Sequence, residues 1–180
     1  MQATYDAIMA LDRSAQDAEN GGWVCGTVGE YKGGPSCANG LITTHLGHWR
    51  PVYLSDCMLT GEQRAAALIA GKALLRSIPD YMQTEMESLG ATHRHVIANP
   101  ESAHPVQIED AVAVLNDLKD RAGWDIDDGY PPLLNGQRAA AWFRAAIDHL
   151  TKDLPIPTNL LTVDAILSAE RGVREQVLIS

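Results

Sequence analysis

Phenylalanine occurs once in this chain, at Phe143, and Phe, Trp and Tyr together make up only 6% of it. A core of stacked aromatic rings is therefore excluded, and small Ala-rich helix contacts must fill much of the interior. Lysine is almost as scarce, with four Lys beside ten Arg, and 14 basic against 23 acidic residues leave a net charge of −9. A broad phosphate-backbone interface needs clustered Lys and Arg to displace counterions, so nucleic acid is not an expected partner. The acidic balance serves solubility and allows a basic partner, or mimicry of a nucleic acid. No apolar run approaches the roughly eighteen residues that a membrane span requires, so no membrane partner is expected. The N-terminal stretch carries Asp6 and Asp12 among its apolar residues and has no basic head, which is not the pattern of a secretory leader. Cysteine is limited to Cys25, Cys37 and Cys57. An odd count cannot all pair within one chain, so reduced thiols and a cytoplasmic location are expected.

What is present is enough chain for one real core: 180 residues, 46% hydrophobic and 21% charged, the balance of a globular domain. Helical periodicity dominates, and the fold class expected is mainly α, with a small irregular or two-to-three-stranded Gly-rich head at 21–59. A helix over 4–20 places Ile8, Leu11, Ala15 and Ala18 on one face and is stopped by Gly21 and Gly22. Trp23 to Cys25 and Trp49 to Leu54 are extended candidates, with Trp23 and Trp49 expected to pack against the helices, and 37–45 is open between strand and helix. Thr60 and Gln63 fit a capping box opening a helix that carries Leu68, Gly71, Leu75 and Ile78 as far as Pro79. A shorter helix follows over 80–89, and 93–99 is unassigned. Pro105 opens a helix with Ile108, Ala111, Val112, Leu115 and Leu118 on one stripe, closed by Gly123. Asn135 caps the most regular helix, whose face is Ala139, Trp142, Phe143, Ala146, Ile147 and Leu150. Prolines 155 and 157 then form a stiff joint, dividing a domain over 1–153 from an amphipathic arm over 154–180.

Chemistry, if there is any, concentrates in 21–48, which holds two of the three cysteines, two of the six histidines and eight of the fifteen glycines. Two thiols and two imidazoles, Cys25, Cys37, His45 and His48, match the donor types of a zinc site. Their spacing does not match the usual one: eleven residues lie between the cysteines and two between the histidines. Buried thiols and surface histidines are the alternative. A thiol hydrolase is a second candidate, with Cys37 as nucleophile at a helix start, His95 as base and His104 as the group that orients it. This order faintly resembles the cell-wall peptidases in which a helix-start cysteine is activated by a histidine on a strand. Residues 125–129 look calcium-like, but the glycine falls one position early and the twelfth loop position is Gly136 rather than a carboxylate. No phosphate-cradling glycine pattern is complete.

The order of these features also resembles a small family of unknown function from actinobacteria and their phages. Its members run a helix into a GW-containing turn, then C-x-x-G, then N-D before a closing helix. Here the matching pieces are Gly22-Trp23-Val24-Cys25-Gly26, then Pro35 to Ile42 with Cys37-Ala38-Asn39-Gly40, then Leu115-Asn116-Asp117 and the helix with Ala140-Ala141-Trp142-Phe143. The likeness covers about half of the chain, and 50–104 and the tail after Leu150 depart from it. It implies an actinobacterial or phage origin, with which an Arg-rich, Lys-poor composition agrees, and it implies no activity. The function expected on balance is non-catalytic: a binding or regulatory protein acting through an acidic helical surface or through the terminal helix. On that helix Val163, Ile166, Leu167, Val173 and Val177 form the partner-binding stripe for a protein partner or a second copy. No cofactor is expected unless the zinc alternative holds.

Overall fold

The structure, a computed structural model, describes residues 1–30, 34–119 and 132–152. Among them are seven α-helices: α1 (Gln2–Asp17), α2 (Ala38–His45), α3 (Gly61–Arg76), α4 (Asp80–Met86), α5 (Ala91–Ala98), α6 (Pro105–Asn116) and α7 (Gly136–Lys152). The mainly α class is thus what the chain adopts. By contacts it divides into two units, Met1–Leu150 and Thr151–Ser180; the first is described here. Residues 32–33, 121–131 and 153–180, which include the calcium-like loop, Gly123, the proline joint and the stripe expected from Val163 to Val177, lie outside the described residues.

The packing follows from small side chains. α1 lies against α2 and α3, and α6 lies against α2, α3 and α5. On α3 the contact face is Ala66, Ala67, Ala70, Ala73 and Leu74, each at most 1% exposed. A Cβ on Gly71 would stand 2.7 Å from Leu54 and 3.0 Å from Ile108, so glycine is what lets α6 and the 54 segment approach this closely. On α1 the expected face is buried, with Ile8, Leu11 and Ala15 at 0%. Two of the scarce aromatics are neighbours in the core: Trp142 and Phe143 are fully buried, and the Trp142 indole N–H donates to the Leu74 carbonyl at 3.0 Å. Burying the two rings contributes about 3–6 kcal/mol.

Helix ends follow the side chains expected to make them. Thr60 Oγ1 accepts from the Gln63 amide at 3.2 Å while Gln63 Oε1 accepts from the Thr60 amide at 2.9 Å, the reciprocal box that satisfies two orphan donors. Asn135 Oδ1 accepts from the Arg138 amide at 2.9 Å and caps α7. Elsewhere the expectations change. Residues 93–98 belong to α5, with Asn99 as its C-cap, and 38–45 to α2, with Cys37 as its N-cap. The strand expected at Trp23 amounts to one isolated parallel bridge, Trp23 with Ser36, and 49–54 is irregular. Trp49 is 63% exposed rather than packed on a helix, because Pro51, Val52 and Leu54 take the inward positions; Arg50 lies over its ring at 4.6 Å. α6 ends at Asn116, earlier than a stop at Gly123 requires. Leu118 stays buried beyond the helix end, and its carbonyl accepts from the Leu133 amide at 2.8 Å.

Candidate functional site

Three chain segments meet at the start of α2. The 22–27 segment is bound to the entry of that helix by backbone bonds: Ser36 N–H donates to Gly22 O at 2.8 Å, Val24 N–H to Ser36 O at 3.1 Å, and Cys37 N–H to Thr27 O at 3.2 Å. The approach is close enough to require glycine at 40, since a Cβ there would collide with the Val28 carbonyl oxygen. The third segment is the end of α6. Asn116, fully buried, accepts on Oδ1 from the Trp23 indole N–H at 2.9 Å and from the Ala38 amide at 3.1 Å. Its Nδ2 donates to Val24 O at 3.2 Å and to Asp117 Oδ1 at 2.9 Å. Ala38 carries one of the orphan amides of a helix first turn, so one side chain from α6 caps α2, holds the tryptophan and fixes the turn.

Asp117 is the charged group of this knot. Its Oδ1 also accepts from the Gly26 amide at 2.8 Å, and Gly26 bends the chain with φ of 81°. The Cys25 thiol lies against the same carboxylate. Burial first, and then the hydrogen bond to Asp117 and its negative charge, push the Cys25 thiol up to about 11. Burial also raises the Cys37 thiol, outweighing the backbone N–H groups of Gly40 and Asn39 that favour its thiolate. The nucleophile in thiol chemistry is the thiolate, and a thiol titrating near 11 is ionised to about one part in ten thousand at pH 7. Both groups are therefore protonated, polar-packed thiols at neutral pH.

Two hollows border Asp117. One, of about 50 Å³, is lined by Gly26, Thr27, Val28, Cys37, Tyr53, Ala113 and Asp117. The other, of about 440 Å³, shares Ala113 and Asp117 and adds Asp110, Val114, Leu118, Lys119 and the 88–89 turn. Its volume lies within the range of small-ligand sites. Asp110 on α6 and Asp117, the residue that ends that helix, line this hollow together, with the small Ala113 between them.

The candidate residues distribute differently from the expected sets. Cys25 and Cys37 do come together, at the N-terminal end of α2. His45 and His48 belong to its other end, about 12 Å along an eight-residue helix. There His45 Nε2 bonds Asp17 Oδ2 at 2.7 Å, and buried His48 places Nδ1 2.7 Å from Arg50 O. Among the described residues no group of three or more His, Cys, Asp or Glu side chains could hold a metal ion, so the zinc quartet is not assembled. The hydrolase set is not assembled either. His95 sits exposed on α5, a helix rather than a strand. Exposed His104 is the N-cap of α6, its Nδ1 accepting from the Val106 amide at 3.4 Å. Cys37 lies beside the opposite end of α6, about 18 Å away along that axis, and no histidine lines the hollow that Cys37 borders.

Asn116 and Asp117 carry the site, and composition and periodicity gave them no role. One signal was available: Asn116 follows Val112 by four residues, which puts an amide on the buried stripe of α6. Trp23 to Gly26, Cys37 to Gly40 and Asn116-Asp117 meet here, whereas Trp142 and Phe143 serve the core. No protein-family model matches the chain, and neither a curated protein nor a solved structure matches it. No helix among the described residues is long and apolar enough to cross a membrane.

Proposed function

We propose that this is a non-catalytic binding protein of regulatory type, engaging a protein partner through the acidic surface formed by Asp110 on α6 and Asp117 at the end of that helix. The observation that carries the reading is the immobilised carboxylate of Asp117. Its Oδ1 is held by the Gly26 and Asn116 N–H groups, and it borders both hollows. A carboxylate fixed in advance binds an incoming cation without the entropy of ordering its own side chain. Asp110 supplies a second carboxylate on α6, held by His93 Nε2 at 2.8 Å. Tyr53, 46% exposed, borders the smaller hollow, and Trp49 and Met58 in the same loop are 63% and 58% exposed. Aromatic groups beside fixed charge are the usual anchors of a protein interface. The protonated thiols support binding over thiol catalysis.

The test is an array of peptides graded from acidic to basic, probed with the full chain. Basic peptides are expected to be retained and to be released by salt, and Asp117→Asn is expected to weaken them at least about tenfold. Retention indifferent to peptide charge and to Asp117 contradicts the reading. So does turnover of an activated ester by the wild type that is lost in Cys37→Ser.

A further inference from the structure

We infer that Cys25 and Cys37 form a site for an intramolecular disulfide, made by exchange with a low-molecular-weight disulfide such as oxidised glutathione. The inference goes beyond the binding reading and does not depend on it. Its basis is backbone geometry. Trp23 and Ser36 are bridged side by side, at the spacing of about 4.8 Å typical of paired strands. The 24–27 segment is then tied to residues 36 and 37 at both of its ends, Val24 to Ser36 and Thr27 to Cys37. Cys25 lies inside that short loop, one residue from Val24 and two from Thr27. On this pairing we infer that the Cys25 and Cys37 backbones approach the Cα separation of about 4.4–6.8 Å that a disulfide needs. The loop turns at Gly26, whose φ of 81° marks the bend through which Cys25 adjusts. The Cys25 thiol lies against the Asp117 carboxylate, Cys37 and Asp117 line one hollow, and all three cysteines of the chain are free.

The half-buried Cys25 is the more accessible of the two and reacts first. Its thiolate attacks one sulfur of glutathione disulfide; a Cys25–glutathione bond forms, the glutathione S–S bond breaks, and one glutathione leaves as thiolate and takes up a proton. The Cys37 thiolate then attacks Cys25 Sγ, forming the intramolecular bond and releasing the second glutathione. The protein loses two hydrogens and the glutathione disulfide gains them. The charged and titratable groups around Cys25 are Asp117, Lys119 and Cys37. Asp117 disfavours its thiolate, so the exchange is slow at neutral pH and accelerates about tenfold per pH unit below the thiol's own titration. No thiolate stabilises the reduced form, so the bridge, once made, resists reduction.

Trypsin separates Cys25 from Cys37 at Lys32, but the Arg50-Pro51 bond leaves Cys37 and Cys57 on one peptide, so mapping uses the full-length Cys57→Ser variant. The reduced protein is incubated with oxidised glutathione without oxygen, quenched in acid, alkylated and analysed by mass spectrometry. The expected product has lost two hydrogens, carries no glutathione and joins peptide 14–32 to peptide 33–64. In the wild type Cys57 is expected to stay outside the bridge, as a free thiol or as a mixed disulfide with glutathione. Two free thiols at the end of the incubation, glutathione retained on Cys25 with Cys37 free, or glutathione on both would each overturn the inference.

Discussion

Replacing Asn116 by alanine removes one side chain and three attachments between α6 and the entry of α2. The Ala38 amide it caps is fully buried, and a buried donor left without a partner costs about 1–3 kcal/mol. The Trp23 indole and the Val24 carbonyl are half-buried; water recovers part of each bond, leaving about 0.5–1.5 kcal/mol apiece. The total is about 2–6 kcal/mol, a large fraction of the roughly 5–15 kcal/mol by which a domain is stable. In urea titrations followed by circular dichroism the midpoint is expected to fall with m unchanged, and Trp23 is expected to become more exposed to solvent. Asn116→Asp gives the internal control. It keeps an acceptor for Trp23 and Ala38, loses the donor to Val24, and sets a second carboxylate against Asp117. Its loss at neutral pH should shrink as the pH is lowered into the carboxylate range. A loss for Asn116→Ala below about 1 kcal/mol, the worth of one ordinary hydrogen bond, would refute the assignment of Asn116 as the junction.

Gly40→Ala is expected to destabilise by about 1–3 kcal/mol or more, because the new Cβ meets the Val28 carbonyl, with Pro51 and Ser36 each 3.0 Å away; an unchanged melting temperature contradicts that packing. At neutral pH an electrophilic probe is expected to label exposed Cys57 first and Cys25 more than about tenfold later, since labelling follows thiolate and exposure; equal rates at the two sites contradict the environment described for Cys25. The folded-state titration of Cys25 lies above that of a free thiol, so its contribution to stability is complete below about pH 8.5 and is lost as pH rises towards 11. Cys25→Ser should remove that part of the alkaline slope. Glu19 is held below the usual carboxylate range by its paired bonds to Arg144 at 2.6 and 2.7 Å. That contribution is present above the unfolded pKa and lost as pH falls through the folded one. The pair is exposed, so Arg144→Gln should flatten the acid limb only slightly, and less in high salt.

Helices were legible in the sequence wherever one face stayed apolar over several turns, as in α1 and α7, or where a cap was written in adjacent residues, as at Thr60 and Gln63. α5 was not, because only Val96 and Ile97 are buried in it and two residues set no period. The end of α6 was misplaced because Leu118 continues the apolar stripe although the helix has stopped; a tertiary contact, the Asn116 amide reaching 78 residues back to Ala38, accompanies the stop. The meeting of Cys25 with Cys37 at the start of α2 follows from backbone pairing between segments about ten residues apart in a glycine-rich sequence, which leaves no periodic trace. The histidines misled in a simple way: local spacing put His45 and His48 near the cysteines, but one helix separates the two pairs in space.

The thiols stay protonated inside a polar junction, leaving recognition to the fixed carboxylate beside them. An ultraviolet thiolate titration of the folded Cys57→Ser variant tests this most directly. Cys25 and Cys37 are expected to give no thiolate absorbance until the pH passes that of a free cysteine, about 8.5, with Cys25 ionising near 11. A thiolate step below neutral pH, removed by Cys37→Ser or Cys25→Ser, would contradict it.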